Sequence, residues 1–136
     1  MSEPTRPLPR IDEADTAEFW RRTRNLALCF QQCDDCGAVV FYPRSHCTGC
    51  LGANLSWHES KGEGQIYTFS IVRQSYHPFF RTKVPYAIGW VDLDEGPRIL
   101  TNFTGVNDPD ELRIGQRVVV EWETHEDLSI PLFRPF

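Results

Sequence analysis

"CDDCGAVVFYPRSHCTGC", residues 33–50, holds four of the five cysteines of this 136-residue chain. They form two C-x-x-C pairs, Cys33/Cys36 and Cys47/Cys50, separated by ten residues. Two such turns set face to face bring four thiolates to one point, which is the tetrahedral arrangement zinc prefers. The intervening "AVVFYP" reads as a strand. Gly37, Gly49 and Gly52 let the turn backbone aim its N–H groups at the sulfurs. The stretch therefore reads as a zinc ribbon, with iron in a rubredoxin-like site as the alternative ion. Four thiolates leave no open position for a substrate, so the expected role is structural. His46 and His58 stand near, but four cysteines already satisfy the ion. A redox C-x-x-C fits poorly, because there are two pairs and no βαβ context.

Upstream, "EADTAEFWRRTR", residues 13–24, predicts one short helix. Asp12 is its expected cap, with acidic residues in the first turn and Arg21, Arg22 and Arg24 towards the end. Phe19, Thr23 and Leu26 share a helical stripe, which Trp20 widens. "LALCFQQ", residues 26–32, predicts a strand entering the first cysteine pair, with Cys29 a small buried apolar residue. The Pro-rich start, "MSEPTRPLPRIDEAD", residues 1–15, reads as an exposed lead-in. Downstream of Cys50 come short strand-like runs broken by turn residues: "LSWHES", "GQIYTFSIVRQ", "VPYAIGWVDLD", "PRILTNFTGV", "GQRVVVEWET" and "SIPLFRPF". In "RVVVEWE" the residues Val118, Val120 and Trp122 alternate with Arg117, Val119 and Glu121, as in a half-buried strand. About five such runs without a long helix between them predict a small antiparallel barrel. "DPDELRIG" reads as a turn or short helix between the last two barrel strands. The apolar end "PLFRPF" is expected to dock on the barrel or on a partner.

Composition narrows the function. The chain is 40% hydrophobic and 24% charged, as in a globular domain. The net charge of −5 is shared by both halves, the barrel half being more acidic than basic. That argues against a nucleic-acid partner, although ribbons and barrels bind single strands elsewhere. No run reaches the length of a membrane span, and no apolar leader is read at the N-terminus. The expectation is a cytoplasmic protein whose close-set cysteines bind metal rather than form disulfides.

Over residues 13–136 the order of motifs resembles a known family. These motifs are "EFWRRTRNLALCFQQCDDCGAVVFYPRSHCTGC", "GEGQIYTFSIVR", "VPYAIGWVDLDEGPRILTNFTGV", "LRIGQRVVVEWE" and "PLFRPF". It is similar to the acyl-CoA-associated OB-fold proteins with an N-terminal rubredoxin-like zinc ribbon, long known only as a domain of unknown function. The resemblance implies a mainly β fold: lead-in and short N-terminal helix over 1–25, zinc ribbon over 26–60, five-stranded OB-fold barrel over 61–136. It also implies a non-catalytic subunit of a thiolase-fold enzyme. In such complexes the partner supplies the nucleophile, and the ribbon–barrel protein helps form the acyl-CoA site. The reactions implied are thiolysis and Claisen-type steps, acyl transfer, or retro-aldol cleavage of a CoA ester, in lipid or aromatic degradation. Some members join hot-dog-fold hydratases. Two copies of each chain are expected, because thiolase-fold enzymes are dimers. A stand-alone acyl-CoA-binding protein and an independent enzyme are the alternatives.

A CoA ester needs cations for its phosphates and an apolar slot for its arm. "VRQSYHPFFRTKVPY", residues 72–86, offers both. Arg73, Arg81 and Lys83 are its cations. Tyr76, His77, Phe79, Phe80 and Tyr86 are its rings, and loop aromatics of this kind mark a binding surface. The competing reading is that Phe79 and Phe80 merely plug the barrel. His77 could serve as a base, but no nucleophile or carboxylate stands at a spacing that completes a catalytic group. No catalytic or nucleotide fingerprint appears elsewhere.

Overall fold

The computed structural model describes residues 4–136. Helix α1 (Ala17–Thr23) is followed by β1 (Cys29–Cys33), β2 (Val39–Val40) and β3 (Leu55–Glu59). Next come β4 (Glu63–Val72), a one-turn helix α2 (Pro78–Arg81), β5 (Tyr86–Leu93) and β6 (Arg98–Asn102). A 3₁₀ turn (Pro109–Glu111) leads to β7 (Arg117–Thr124) and β8 (Ser129–Pro135).

The strands form two antiparallel sheets. The smaller has the order β2-β1-β3, and the larger β6-β5-β4-β7-β8. A parallel bridge between Phe103 and Phe133 joins the two outer strands of the larger sheet and nearly closes it into a five-stranded barrel. That order, with a short helical turn between the third and fourth barrel strands, is the OB-fold arrangement. β5 shows why the sequence takes this form. Its residues alternate strictly between half-buried and buried, so Ala87, Gly89, Val91 and Leu93 point inward. β4 carries a register shift between Ile66 and Thr68, which lets a long strand coil around the barrel. Beside it, β5 crosses closely at Gly89. A Cβ there would lie 2.3 Å from the Thr68 carbonyl oxygen and 2.8 Å from the Phe103 ring, so only glycine fits.

Phe19 of α1 belongs to the barrel's buried cluster with Ile66, Val91, Phe103, Val118 and Phe133, and Phe41 and Trp57 of the ribbon pack against it. The ribbon keeps a small cluster of its own around Cys33, Val40 and Cys47, and its Phe41 and Trp57 join it to the barrel core. Thr23 is fully buried; its hydroxyl donates to the Trp20 carbonyl at 2.6 Å and accepts the Ser129 N–H at 3.1 Å, fastening α1 to β8. At the junction, Glu95 accepts from the Ser60 hydroxyl at 2.7 Å and from the Lys61 N–H at 2.8 Å.

Several expectations change. The helix begins later than residue 13. Thr16 stands at its N-cap position, while Asp12 pairs instead with Arg10 at 3.2 Å. It ends at Thr23, because Leu26 takes a left-handed conformation (φ 58°) and turns outward, leaving the stripe. The strand accordingly starts at Cys29, which is buried. "YHPFFRTK" contains α2, capped by His77, whose Nδ1 accepts the Phe79 N–H at 3.1 Å. One turn is too short to leave a periodic signal. The C-terminal run is a barrel strand: Phe133 is wholly buried, while Phe136 is exposed. Among the described residues, no helix is long and apolar enough to cross a membrane.

Candidate functional site

Two features carry chemistry. The first is the cysteine cluster. Cys33 closes β1, Cys36 lies in the following turn, and Cys47 and Cys50 sit on the second turn. The two turns are built alike. Each first cysteine accepts a backbone hydrogen bond four residues on, from Gly37 at 2.9 Å and from Leu51 at 3.0 Å. Each also pairs its N–H with the carbonyl five residues on, at Ala38 and Gly52. The residue after each second cysteine has positive φ: 78° at Gly37 and 66° at Leu51. All four sulfurs lie within 4.8 Å of one another. Two of the separations are 3.6 Å (Cys33–Cys50) and 3.5 Å (Cys36–Cys47). An ion with metal–sulfur bonds of about 2.3 Å in a tetrahedron needs sulfurs about 3.8 Å apart, so the donor set fits a tetrathiolate metal site.

The backbone tunes this set. The N–H groups of Cys50 and Gly49 point at the Cys47 sulfur and draw that thiol down to about 7. At Cys36 the Ala38 N–H pulls downward. The hydrogen bond with Cys47, desolvation and the Cys33 and Cys50 sulfurs outweigh it, pushing the thiol up to about 12. The Cys47 thiol thus lies close to its thiolate form at neutral pH, the form in which a cysteine would hold a metal. His46 bonds the neighbouring Ser45 hydroxyl, and His58 stacks on Phe30.

The second feature is the segment 73–86 at the barrel mouth. Tyr76 is 83% exposed. Phe79 and Phe80 are half-buried and meet edge to face at 5.1 Å, and Phe80 lies 5.7 Å from Tyr86. They neither plug the barrel fully nor stand free. The cations divide. Arg73 is paired with Asp110 at 3.0 Å, and Arg81 donates to the Tyr76 carbonyl at 2.9 Å. Lys83 lies over the Phe79 ring at 5.2 Å. His77 spends Nδ1 on the α2 cap, so its neutral form carries the proton on Nε2.

Sequence reasoning missed one residue here. Arg6, in a lead-in read as exposed, has a side chain only 14% exposed. Its guanidinium lies 5.6 Å from the centroids of both Phe79 and Phe80 and pairs with Glu123 at 2.8 Å. A cavity of about 250 Å³ on one side is walled by Phe80, Tyr86, Phe103 and Leu132. One of about 530 Å³ on the other is walled by Thr5, Leu8 and His125. Arg6, Phe79, Lys83 and Glu123 line both. The prolines of "TRPLPR", which stiffen the backbone, are the sequence signal for a segment laid down in a fixed path.

Comparison with known proteins agrees with this architecture. Residues 20–56 match the ChsH2 rubredoxin-like zinc ribbon domain, and residues 57–123 match the ChsH2 C-terminal OB-fold domain. A probable enoyl-CoA hydratase alpha subunit of Thermomonospora curvata is 34% identical over 131 residues. The match covers 96% of this chain but 40% of that protein, so this chain spans less than half its length. The benzoylsuccinyl-CoA thiolase subunit BbsA of Thauera aromatica is 29% identical over 90 residues, covering 62% of this chain and 60% of that one. Among solved structures, a chain of the Ltp2-ChsH2(DUF35) aldolase superposes with a TM-score of 0.82 at 32% identity, over 96% of this chain and 98% of that chain. With both of its domains matched in order, the chain belongs to the ChsH2 family, in which a rubredoxin-like zinc ribbon precedes an OB-fold domain.

Proposed function

We propose that this chain is a non-catalytic subunit that docks on a thiolase-fold enzyme and helps form its acyl-CoA site. The observation that carries the reading is the near-complete structural likeness to a chain of an aldolase assembly. The names of the relatives, a thiolase subunit and a hydratase subunit, support it. In this reading the partner holds the nucleophile and performs thiolysis, acyl transfer or retro-aldol cleavage. The segment 73–86 contacts the partner and the acyl-CoA, through Tyr76, Phe79, Phe80 and Tyr86 with Arg73, His77, Arg81 and Lys83. The complex holds two copies of each chain and works in the cytoplasm. Cys33, Cys36, Cys47 and Cys50 hold zinc, which orders the ribbon and takes no part in the reaction. An iron form would be coloured, so the absorption spectrum of the purified protein distinguishes the two metals.

The test is co-expression with a thiolase-fold protein encoded beside it. The expected result is a stable complex with acyl-CoA activity absent from either chain alone. A chain that purifies as a monomer and ignores such partners overturns the reading.

A further inference from the structure

Among the described residues, Arg6 holds the buried side-chain donor that lacks a hydrogen bond. Its Nε is buried and lies 2.8 Å from a Glu123 oxygen, yet its N–H is not aligned to form a hydrogen bond with any acceptor. A buried donor without an aligned acceptor costs free energy that a better-placed oxyanion would recover. Lys83 shares the Phe79 ring with Arg6, and both cations line both cavities. The smaller cavity is walled by apolar rings, whereas the larger opens beside His125.

We propose that Arg6, together with Lys83, is the anion-binding pair for the phosphate groups of a CoA thioester, whose arm enters the smaller cavity. This rests on the acyl-CoA reading above and adds that the N-terminal lead-in is itself part of the site. Glu123 makes the exchange feasible. His125 Nε2 lies 2.7 Å from the same Glu123 oxygen, so the carboxylate keeps a donor when the guanidinium turns to a phosphate. A guanidinium offers a planar fork of donors that matches phosphate oxygens, and this one lies 5.6 Å from both the Phe79 and the Phe80 ring centroids.

The test titrates coenzyme A and pantetheine, which has the arm without the phosphates, into the full chain by calorimetry. Partner assembly is followed separately by gel filtration. Wild type should bind coenzyme A more tightly than pantetheine, and the difference should shrink with added salt. Arg6→Ala should weaken coenzyme A about tenfold, the size of one charge-assisted hydrogen bond, and leave pantetheine unchanged. Arg6→Lys should recover part of the loss, and Lys83→Ala should show the same selectivity. If Arg6→Ala does not fold, Arg6→Gln removes the charge and keeps a polar side chain of some length, and it serves the same comparison. Equal or tighter coenzyme A binding by the Arg6 variants overturns the proposal, as does a wild type that binds no coenzyme A or prefers neither ligand. Should that happen while the partner complex still forms, only the Arg6 site falls and the subunit reading stands. Should the complex fail as well, both fall.

Discussion

Gly37 and Leu51 occupy the same place in two matching turns, with the same left-handed backbone, but only one is the residue that conformation favours. The left-handed region costs a branched side chain about 1–2 kcal/mol, while glycine costs about 0.5–1 kcal/mol in lost chain entropy. Leu51→Gly should therefore be neutral or stabilising by up to about 1 kcal/mol in a denaturant titration, because the Leu51 side chain is 77% exposed and contributes little burial. Gly37→Leu should destabilise. Thr23 makes the opposite case. Replacing it with Val leaves the Ser129 N–H buried without its acceptor, at a cost of about 1–3 kcal/mol, whereas Thr23→Ser keeps the hydroxyl and most of the stability. Neither result could be anticipated from the residue type. A threonine on a helical stripe and a leucine after a cysteine look ordinary until the backbone around them is known.

At the scale of elements, the cysteine turns and the alternating strands were legible because each rests on short-range spacing. Two C-x-x-C pairs dictate a ribbon, and the alternation in β5 dictates an inward face. The end of α1 and the one-turn α2 were not legible because a local left-handed turn at Leu26 and a single capped turn leave no periodic signal, and the placement of Arg6 was not because it depends on contacts with Phe79, Phe80 and Glu123 far along the chain. The elements make two further predictions. Cys36→Ser should lose metal and unfold the small sheet together, seen as a lower metal content by elemental analysis and increased hydrogen exchange in β1–β3. Loss of an activity alone, with metal and fold intact, would mark the cluster as a reaction centre instead. Gly89→Ala should destabilise the barrel by about 1–3 kcal/mol or more in a thermal melt, because its Cβ meets backbone rather than a flexible side chain.

For the whole molecule, the surface at the barrel mouth predicts its own sensitivity. Joint replacement of Phe79 and Phe80 by Ala should weaken the partner complex or acyl-CoA turnover without unfolding the chain, since both rings are only half-buried. Wild-type behaviour in both assays would remove that surface from the proposed function. Deleting residues 132–136 should do something different, namely destabilise the fold, because it removes the buried Phe133 and the strand edge pairing with β7. The way the ribbon joins the barrel core has a consequence for how such proteins can be recombined. Ribbon and barrel match separate family models that meet at residues 56 and 57, and a cut just after the last ribbon strand, at residue 60, looks like a natural place to graft one onto another protein. Phe19, Phe41 and Trp57 would then leave behind a barrel with an open flank, and Glu95 would lose the Ser60 hydroxyl it holds. A chimera should be soluble only if the donor ribbon brings its own helix and aromatic plug, which makes the two modules heritable as a pair.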